Sequence, residues 1–532
     1  MKEIDLTRPQ SVRFELEDGW VEARPIGGEW SAAGVCLTFV RRGDVIDALL
    51  TAGDAAVLAV AARYGTRFEP GAALFGDAWE RGYGDLGWGP IEPERLHHWY
   101  MAIDEPAGIS AVGSRAHPGS LIAWAADPAG VTLTADTSVG PQGVLLQGRL
   151  LRLCELVCEM NARSGDAYDF MCGFMRRLCD GPKPIDGPAY GGNNWYYAYG
   201  DSSHSDILAD SRFVAEMARG LPTKPYMVID DGWQLTSGHG GCNGGPWVGN
   251  RRFPDMPALA ADMKSLGVRP GIWVRPLLTS ELMPGGWVRG ESGKGRLLDP
   301  THPGVLEYVE RTIASLREWG FELIKHDFTT FDLYGLWGMQ RRGYRGFSGA
   351  PFSDRRRTLA EHVEALYRAI AAGAGGSVLI GCNTIGHFAA GHFEIQRTGD
   401  DTSGRCWERT RRMGVNTLAM RMPQHRVFFE CDADCAGITG EVDWQLNAQW
   451  LELLAHSGTP LFVSADPSTL DEARRAAIRS AFEAASRPLP PARPLDWRDT
   501  PSPARWRLDT GERSFDWYEP PRSSYPAEVW WK

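Results

Sequence analysis

From about residue 190 the chain alternates short apolar runs with longer stretches of helical spacing, and this rhythm restricts the fold more than any other feature. Eight candidate strands follow one another: NNWYYAY, PYMVIDD, RPGIWVRP, FELIKHDF, SVLIGCNT, HFEIQRTGD, RVFFECD and TPLFVSAD. Between them lie SDILADSRFVAEMARG, DMPALAADMKSLG, GVLEYVERTIASLREWG and DRRRTLAEHVEALYRAIAAG. The last two are amphipathic, and all four end in Gly, as helices often do. Strands separated by helices pair in parallel, and eight of them predict a (β/α)8 barrel, class α/β. An open doubly wound sheet is the alternative. No Gly-x-Gly-x-x-Gly follows a strand and no Walker-type loop is present, so neither a dinucleotide nor a nucleoside triphosphate is expected as cofactor.

A barrel needs roughly 250 residues, and the chain has 532. The surplus lies mostly ahead of it. VRFELEDGWVEARPI, GVCLTFVRR, SLIAWAAD, GVTLTADTSV and GVLLQGRLLRL alternate apolar and polar positions and predict an N-terminal β-sandwich. From Leu153 to Cys179 the spacing turns helical, through Leu153, Val157, Met160, Phe170, Phe174, Met175 and Leu178. GPKPIDGP then marks a boundary, and PLPPARP marks a second one after EARRAAIRSAFEAASRP. The expected division is a sandwich with a linking helix over 1–180, the barrel over 181–487 and a short C-terminal β appendage over 488–532. ARWRLDTG and RSFDWYE suggest a hairpin in the appendage.

Composition removes several classes of function. A formal net charge of -11 argues against a nucleic-acid partner, which requires basic patches. No apolar run reaches the ~20 residues of a membrane span. MKEIDLTRPQ carries no apolar segment behind a basic end, so a cytoplasmic location is expected. The ten cysteines read as reduced thiols, with Cys431 and Cys435 as small buried hydrophobes. The 21 tryptophans fit either an aromatic core or stacking on sugar faces. The chain carries no oligomer signature, and Asn243, Gly244 and Gly245 read as an ordinary surface loop.

Active-site groups of such barrels sit at the C-terminal ends of the strands, and here the acids gather there. Asp230 and Asp231 end the second run, Asp327 the fourth, Asp400 and Asp401 the sixth, and Asp432 and Asp434 the seventh. Several carboxylates without a cofactor loop suit glycoside hydrolysis, which needs one to attack or activate water and one to protonate the leaving oxygen. Extra carboxylates can accept hydrogen bonds from sugar hydroxyls. Metal-dependent hydrolysis competes, because Asp clusters also bind Mg²⁺ or Mn²⁺. His326 is the one nearby histidine. It directly precedes Asp327, so in a regular strand it points to the opposite face.

Five segments, taken in order, give the chain a resemblance to the clan D glycoside hydrolases, chiefly the family 36 α-galactosidases and their family 27 relatives. GGNNWYYAYG at 191–200 resembles their first-strand Gly-x-Asn-Ser-Trp pattern, with Asn194 in place of Ser. MVIDDGWQ at 227–234 is similar to their Asp-Asp-Gly-Trp motif. GIWVRP at 271–276 resembles the third-strand Gly-x-Trp segment, with Arg275 where an acid is common. IKHDF at 324–328 resembles the Lys-Trp-Asp nucleophile strand, with His326 replacing Trp. RTGDDTSGR at 397–405 resembles the acid/base segment. Beyond these five, SGTPLFVSADP at 457–467 also looks like the family's last barrel strand.

The resemblance implies a retaining, exo-acting hydrolase of terminal α-galactosides with no cofactor and no metal, Asp327 serving as nucleophile and Asp400 as acid/base. Asp401 is the alternative for the second role. It implies further that Asp230, Asp231 and Lys325 contact sugar hydroxyls, that Trp195, Trp233 and Trp273 wall the subsite, and that Arg397 orients a hydroxyl or the acid/base. Cys382 and Asn383 fall in the loop that approaches the C2 substituent, where GCNTIG lacks the family's run of glycines. Other clan D sugars, transglycosylation, and a non-catalytic carbohydrate-binding barrel stay open.

Overall fold

The computed structural model describes residues 4–162, 166–237, 241–341, 343–345 and 349–518. Residues 519–532, the end of the expected C-terminal region, lie outside it.

The first part is a 14-stranded antiparallel sheet running from Ser11–Leu16 to Leu151–Ala162. It folds over on itself as a sandwich. Leu37, Ala48 and Leu153 meet Val60, Ala62 and Leu133 across its interior. Each of these is nearly excluded from solvent, which is where most of the folding free energy of such a layer arises. The expected helix over 153–179 is corrected here: Leu151–Ala162 is a strand, and only Ala167–Leu178 is helical. That helix is capped by Asp166, whose side chain accepts from the Asp169 amide. It buries Phe170, Met171, Phe174, Met175 and Leu178.

The second part is a parallel sheet whose strands fall in the expected runs, except that the first lies just ahead of its run. They are Tyr190–Asn193, Tyr226–Ile229, Arg269–Val274, Leu323–His326, Val378–Gly381, Ile395–Arg397, a seventh in two pieces (Glu430–Asp432 and Cys435–Ile438), and Leu461–Ala465. The first strand ends before the aromatic run expected to form it, and Trp195–Ala198 is a helical turn. The first piece of the seventh strand pairs with the sixth strand, and the second piece pairs with the eighth. The eighth pairs with the first. The ring is therefore closed through the backbone at Asp434, which has φ 72°, a left-handed conformation that bends one strand between two neighbours. The helices His204–Met217, Met256–Leu266, Pro303–Glu318 and Leu359–Ala374 lie between the strands as expected.

The C-terminal appendage is a three-stranded sheet, Arg493–Pro494, Arg505–Leu508 and Gly511–Ser514. Its tryptophans clamp it in place. The ring of Trp497 lies against Phe75 at 4.9 Å, and the Trp517 carbonyl accepts from Trp407 Nε1 at 2.7 Å. Trp99, Trp124, Trp233, Trp273, Trp407, Trp450, Trp497, Trp506 and Trp517 are all core residues, so much of the tryptophan excess is structural.

One contact between the two large parts reaches the barrel rim. After the sandwich strand Ala73–Asp77 the chain runs across the top of the barrel. Gly82 pairs there with Gly399 like a short added strand: Gly82 N donates to Thr398 O at 2.8 Å, and Asp400 N donates to Gly82 O at 2.9 Å. Gly399 has no room for a side chain, since an added Cβ would lie 2.0 Å from the Met413 carbonyl oxygen.

Candidate active site

Two asparagines open the site. Asn194 Oδ1 accepts from the Asp230 amide at 2.9 Å, and Asn193 Nδ2 donates to Asp230 Oδ2 at 2.8 Å. The end of the first strand thereby fixes the carboxylate at the end of the second. Lys325 Nζ, on the fourth strand, donates to the same oxygen at 2.7 Å. Burial alone would pull the Lys325 ammonium down, but the Asp230 charge more than reverses this and holds it well above the usual lysine value. Next to this pair, Asp231 accepts from Gln234 Nε2 at 2.6 Å. Its carboxyl is pushed up to about 6, chiefly by burial and also by the neighbouring Asp230 charge, against the Gln234 hydrogen bond.

Asp327 follows the fourth strand and is held at both oxygens. Oδ1 accepts from the Phe328 amide at 2.7 Å, and Oδ2 accepts from Trp273 Nε1 at 3.2 Å. The first of these bonds depends on Phe328 taking a left-handed φ of 61°, a strained conformation for a side-chain-bearing residue. The second depends on Trp273, whose carbonyl accepts from Trp233 Nε1 at 2.9 Å. Trp233 itself is 0 % exposed and packs behind Trp273. His326 turns outward, as its strand position requires. It is buried against Phe393, with ring centroids 4.5 Å apart, and burial brings its imidazole down to about 3.

Arg275 stands where the resemblance leads one to expect an acid. It forms a buried pair with Asp332, in the helix after the fourth strand, with contacts of 2.5 and 2.9 Å. Its guanidinium also lies 4.1 Å from the centre of the Phe328 ring. The changed charge at position 275 is thus matched locally.

The acids after the sixth strand differ sharply. Asp400 is nearly enclosed, with Arg81 Nη2 at 2.7 Å from Oδ1 and Arg409 Nη2 at 2.7 Å from Oδ2. Asp401 has 36 % of its side chain exposed and wider contacts: Arg397 Nη2 at 3.3 Å and Arg81 Nη1 at 3.9 Å. Its deep position raises its pKa, but Arg397 and the other surrounding cations outweigh this and hold it at about 2. Arg397 is itself fixed by Asp434 at 2.8 Å. The same Asp434 oxygen accepts from Thr402 N at 2.8 Å and from the Tyr196 hydroxyl. Asp432 is buried beside it, which raises its carboxyl to about 6.

The Cys382 thiol accepts from Arg397 Nη1 at 3.4 Å, and burial keeps it strongly protonated. Asn383, expected near the sugar, is 0 % exposed. It is a strut: Oδ1 accepts from Phe331 N at 2.9 Å, its carbonyl accepts from Thr329 Oγ1 at 2.8 Å, and Nδ2 donates to Glu80. Trp195 and Tyr199 stack obliquely, 5.7 Å apart, and with Asp231, Asn243 and Arg252 they line a cavity of about 640 Å³ at the ends of the first two strands.

The structure thus brings Asp230, Asp231, Lys325, Asp327, Trp273, Arg397, Asp400 and Asp401 to one rim, with Trp233 and Asn383 buried behind it. Three site residues were not read from the sequence. Arg81 and Glu80 come from the sandwich, across more than 300 positions of chain from Asp400 and Asn383. Arg409 lies on a helical turn and has no strand-end position to mark it.

No family model matches the sequence, and no curated relative matches it. Among solved structures the chain is similar to an α-galactosidase from Thermus thermophilus in complex with p-nitrophenyl α-D-galactopyranoside, with a TM-score of 0.60 and 18 % identity over 95 % of this chain and 99 % of that one. It is also similar to a family 36 α-galactosidase variant from Geobacillus stearothermophilus in complex with 1-deoxygalactonojirimycin, with a TM-score of 0.59 and 14 % identity over 90 % and 75 %. The galactosidase domain of an α-galactosidase–sucrose kinase matches with a TM-score of 0.53 at 15 % identity over 90 % and 74 %. At these identities the likeness establishes the fold, a barrel with an N-terminal β-domain as in the family 36 α-galactosidases.

Proposed function

We propose that this chain is a retaining glycoside hydrolase that removes terminal α-galactosyl groups, with Asp327 as nucleophile and Asp401 as acid/base. The observation that carries the reading is one rim holding an oriented strand-four carboxylate, a buried Asp230–Lys325 pair and a second acid after strand six, on a fold shared with α-galactosidases. Asp230, Asp231 and Lys325 receive the sugar hydroxyls, and Trp195 and Tyr199 face its apolar side.

The acid/base moves from Asp400, the residue favoured by sequence, to Asp401. Asp400 has an arginine 2.7 Å from each oxygen, so donating a proton would require breaking a buried ion pair. It acts instead as the anchor for Arg81 and Arg409. Asp401 has the looser contacts and the exposed face. An entering galactoside strips water from it and, together with the charge of Asp327, pushes its pKa up. Asp327 loses that charge in the glycosyl–enzyme, and Asp401 then serves as base.

A panel of nitrophenyl α- and β-glycosides tests the reading. Hydrolysis of the α-galactoside is expected, with Asp327→Asn inactive and Asp327→Gly rescued by azide as the β-galactosyl azide. An active Asp327→Asn enzyme would sink the mechanism. Preference for another α-glycoside would keep the mechanism and change the sugar. Asp401→Asn should lose little with good leaving groups and much with poor ones, whereas Asp400→Asn should lose activity on both alike. The reverse pattern returns the role to Asp400.

A further inference from the structure

A second cluster of chemically competent side chains lies apart from the strand-end acids, in the seam between the sandwich and the barrel. His117 sits in the turn between the sandwich strands Gly108–Ser114 and Leu121–Asp127. Glu364 is in the first turns of the helix Leu359–Ala374, and His392 follows Gly391 on the way into the sixth barrel strand. Their nearest partners in sequence are 28 positions apart and the farther pair 247, so no motif announces them.

The three converge on one point. His117 Nδ1 is 2.8 Å from Glu364 Oε2, and His392 Nε2 is 2.8 Å from Glu364 Oε1. The rings stand nearly perpendicular at 73°, with centroids 5.1 Å apart, and one donor atom from each of the three residues lies within 4.8 Å of the others. His117 has a left-handed φ of 60°, which places it at the bend of the turn. Its amide is tied to the His387 carbonyl at 3.3 Å.

We propose that His117, Glu364 and His392 form a binding site for a divalent transition metal of the zinc type, which pins the sandwich turn to the barrel. Two imidazoles and a carboxylate are a borderline-soft donor set, suited to Zn²⁺, Ni²⁺ or Cu²⁺ and poorly suited to Mg²⁺ or Ca²⁺, which prefer all-oxygen shells. Metal–ligand bonds of ~2.0–2.1 Å place neighbouring donors of a tetrahedral site a little over 3 Å apart, so the 2.8 Å contacts need open only slightly. With 35 % of the His117 side chain exposed, the fourth position faces solvent and takes water. Arg368 competes for Glu364 Oε1 at 3.0 Å, but its side chain is 69 % exposed and can swing away at little cost. The site is independent of the sugar chemistry.

Calorimetric titration of the chelator-treated full chain with ZnCl₂ tests it, with a thermal melt in parallel. One equivalent of Zn²⁺ is expected to bind and to raise the melting midpoint, and MgCl₂ is expected to do neither. Losing an outer-shell partner alone weakens a metal site about ten- to hundredfold, so His117→Ala and His392→Ala should each weaken binding by at least roughly tenfold. His392→Gln, which keeps a hydrogen-bond donor to Glu364, should retain the metal-free melting midpoint and still lose the zinc. Arg368→Ala should bind as tightly or more tightly. Absence of binding by the parent chain, or unchanged binding in His117→Ala and His392→Gln, would overturn the proposal.

Discussion

Asp231 is the cavity residue whose charge changes within the range of an ordinary assay. Burial, then the Asp230 charge, lifts its carboxyl to about 6 against the Gln234 hydrogen bond, while an unfolded aspartate titrates near 3.9. Between these values the folded chain binds more protons than the unfolded one, so this residue makes stability fall as pH rises through the window of roughly 4 to 6. The acceptor role proposed for sugar hydroxyls requires the ionised form. kcat/KM is therefore expected to climb with pH up to about 6 and then to level off. In Asp231→Asn the stability loss over that window should shrink, and kcat/KM should be low and lack the climb. A pH–rate profile paired with denaturant melts at several pH values checks both. An unchanged profile in Asp231→Asn would assign the limb elsewhere, and Asp432, also raised to about 6 by burial, is the next acid to examine.

Between elements, the test is the Arg275–Asp332 pair that ties the end of the third strand to the helix after the fourth. Both side chains are almost wholly buried, and burial pushes the Asp332 carboxyl up even with Arg275 beside it. Removing one partner leaves a buried charge uncompensated, so Arg275→Met is expected to destabilise the fold by about 3–5 kcal/mol, and Arg275→Met/Asp332→Leu by much less. Urea melts of the two variants check this. Equal losses would mean that the pair acts through packing on Phe328. This pair also shows what the sequence could and could not reveal. Arg275 stood out at once as an unexpected base, but its partner lies 57 positions on and is supplied by folding. The eight strand positions were legible because a parallel strand buried on both faces reads as a continuous apolar run. The strand at Leu151–Ala162 was misread because its pairing slips at a bulge between Arg152 and Cys154, which spaces the apolar residues like a helix. The aromatics of NNWYYAY suggested a strand, but Asn193 Oδ1 captures the Trp195 amide at 2.8 Å and turns the chain.

For the molecule as a whole, the question is why the sandwich is present. Its run from Asp77 to Tyr83 completes the barrel site: Glu80 holds Asn383, Arg81 holds Asp400, and Gly82 bonds on both sides of Gly399. Nothing in the sequence could mark these residues as functional, since they follow an ordinary sandwich strand and meet the acids only through the three-dimensional fold. Asp77 continues the connection, accepting from Arg421 at 2.8 Å and from Gln424 at 2.6 Å. With Arg81 removed, Asp400 keeps Arg409 alone and the segment carrying Asp401 loses one of its two guanidinium supports. Displacements of about 1 Å at a reacting group can cost on the order of a hundredfold in rate, so Arg81→Ala is expected to lower kcat by roughly that factor while KM changes little. Arg81→Lys keeps the charge but cannot span Asp400 and Asp401 together, and it should recover only part of the rate. The pH profile separates positioning from simple loss of structure. Arg81 is one of the cations that hold Asp401 at about 2, and the proton on a general acid sets the alkaline limb, so Arg81→Ala should move the alkaline limb of kcat/KM upward, a shift that a merely loosened fold would not produce. If kcat falls without that shift and the melting midpoint falls with it, the sandwich supports the barrel and takes no part in its chemistry.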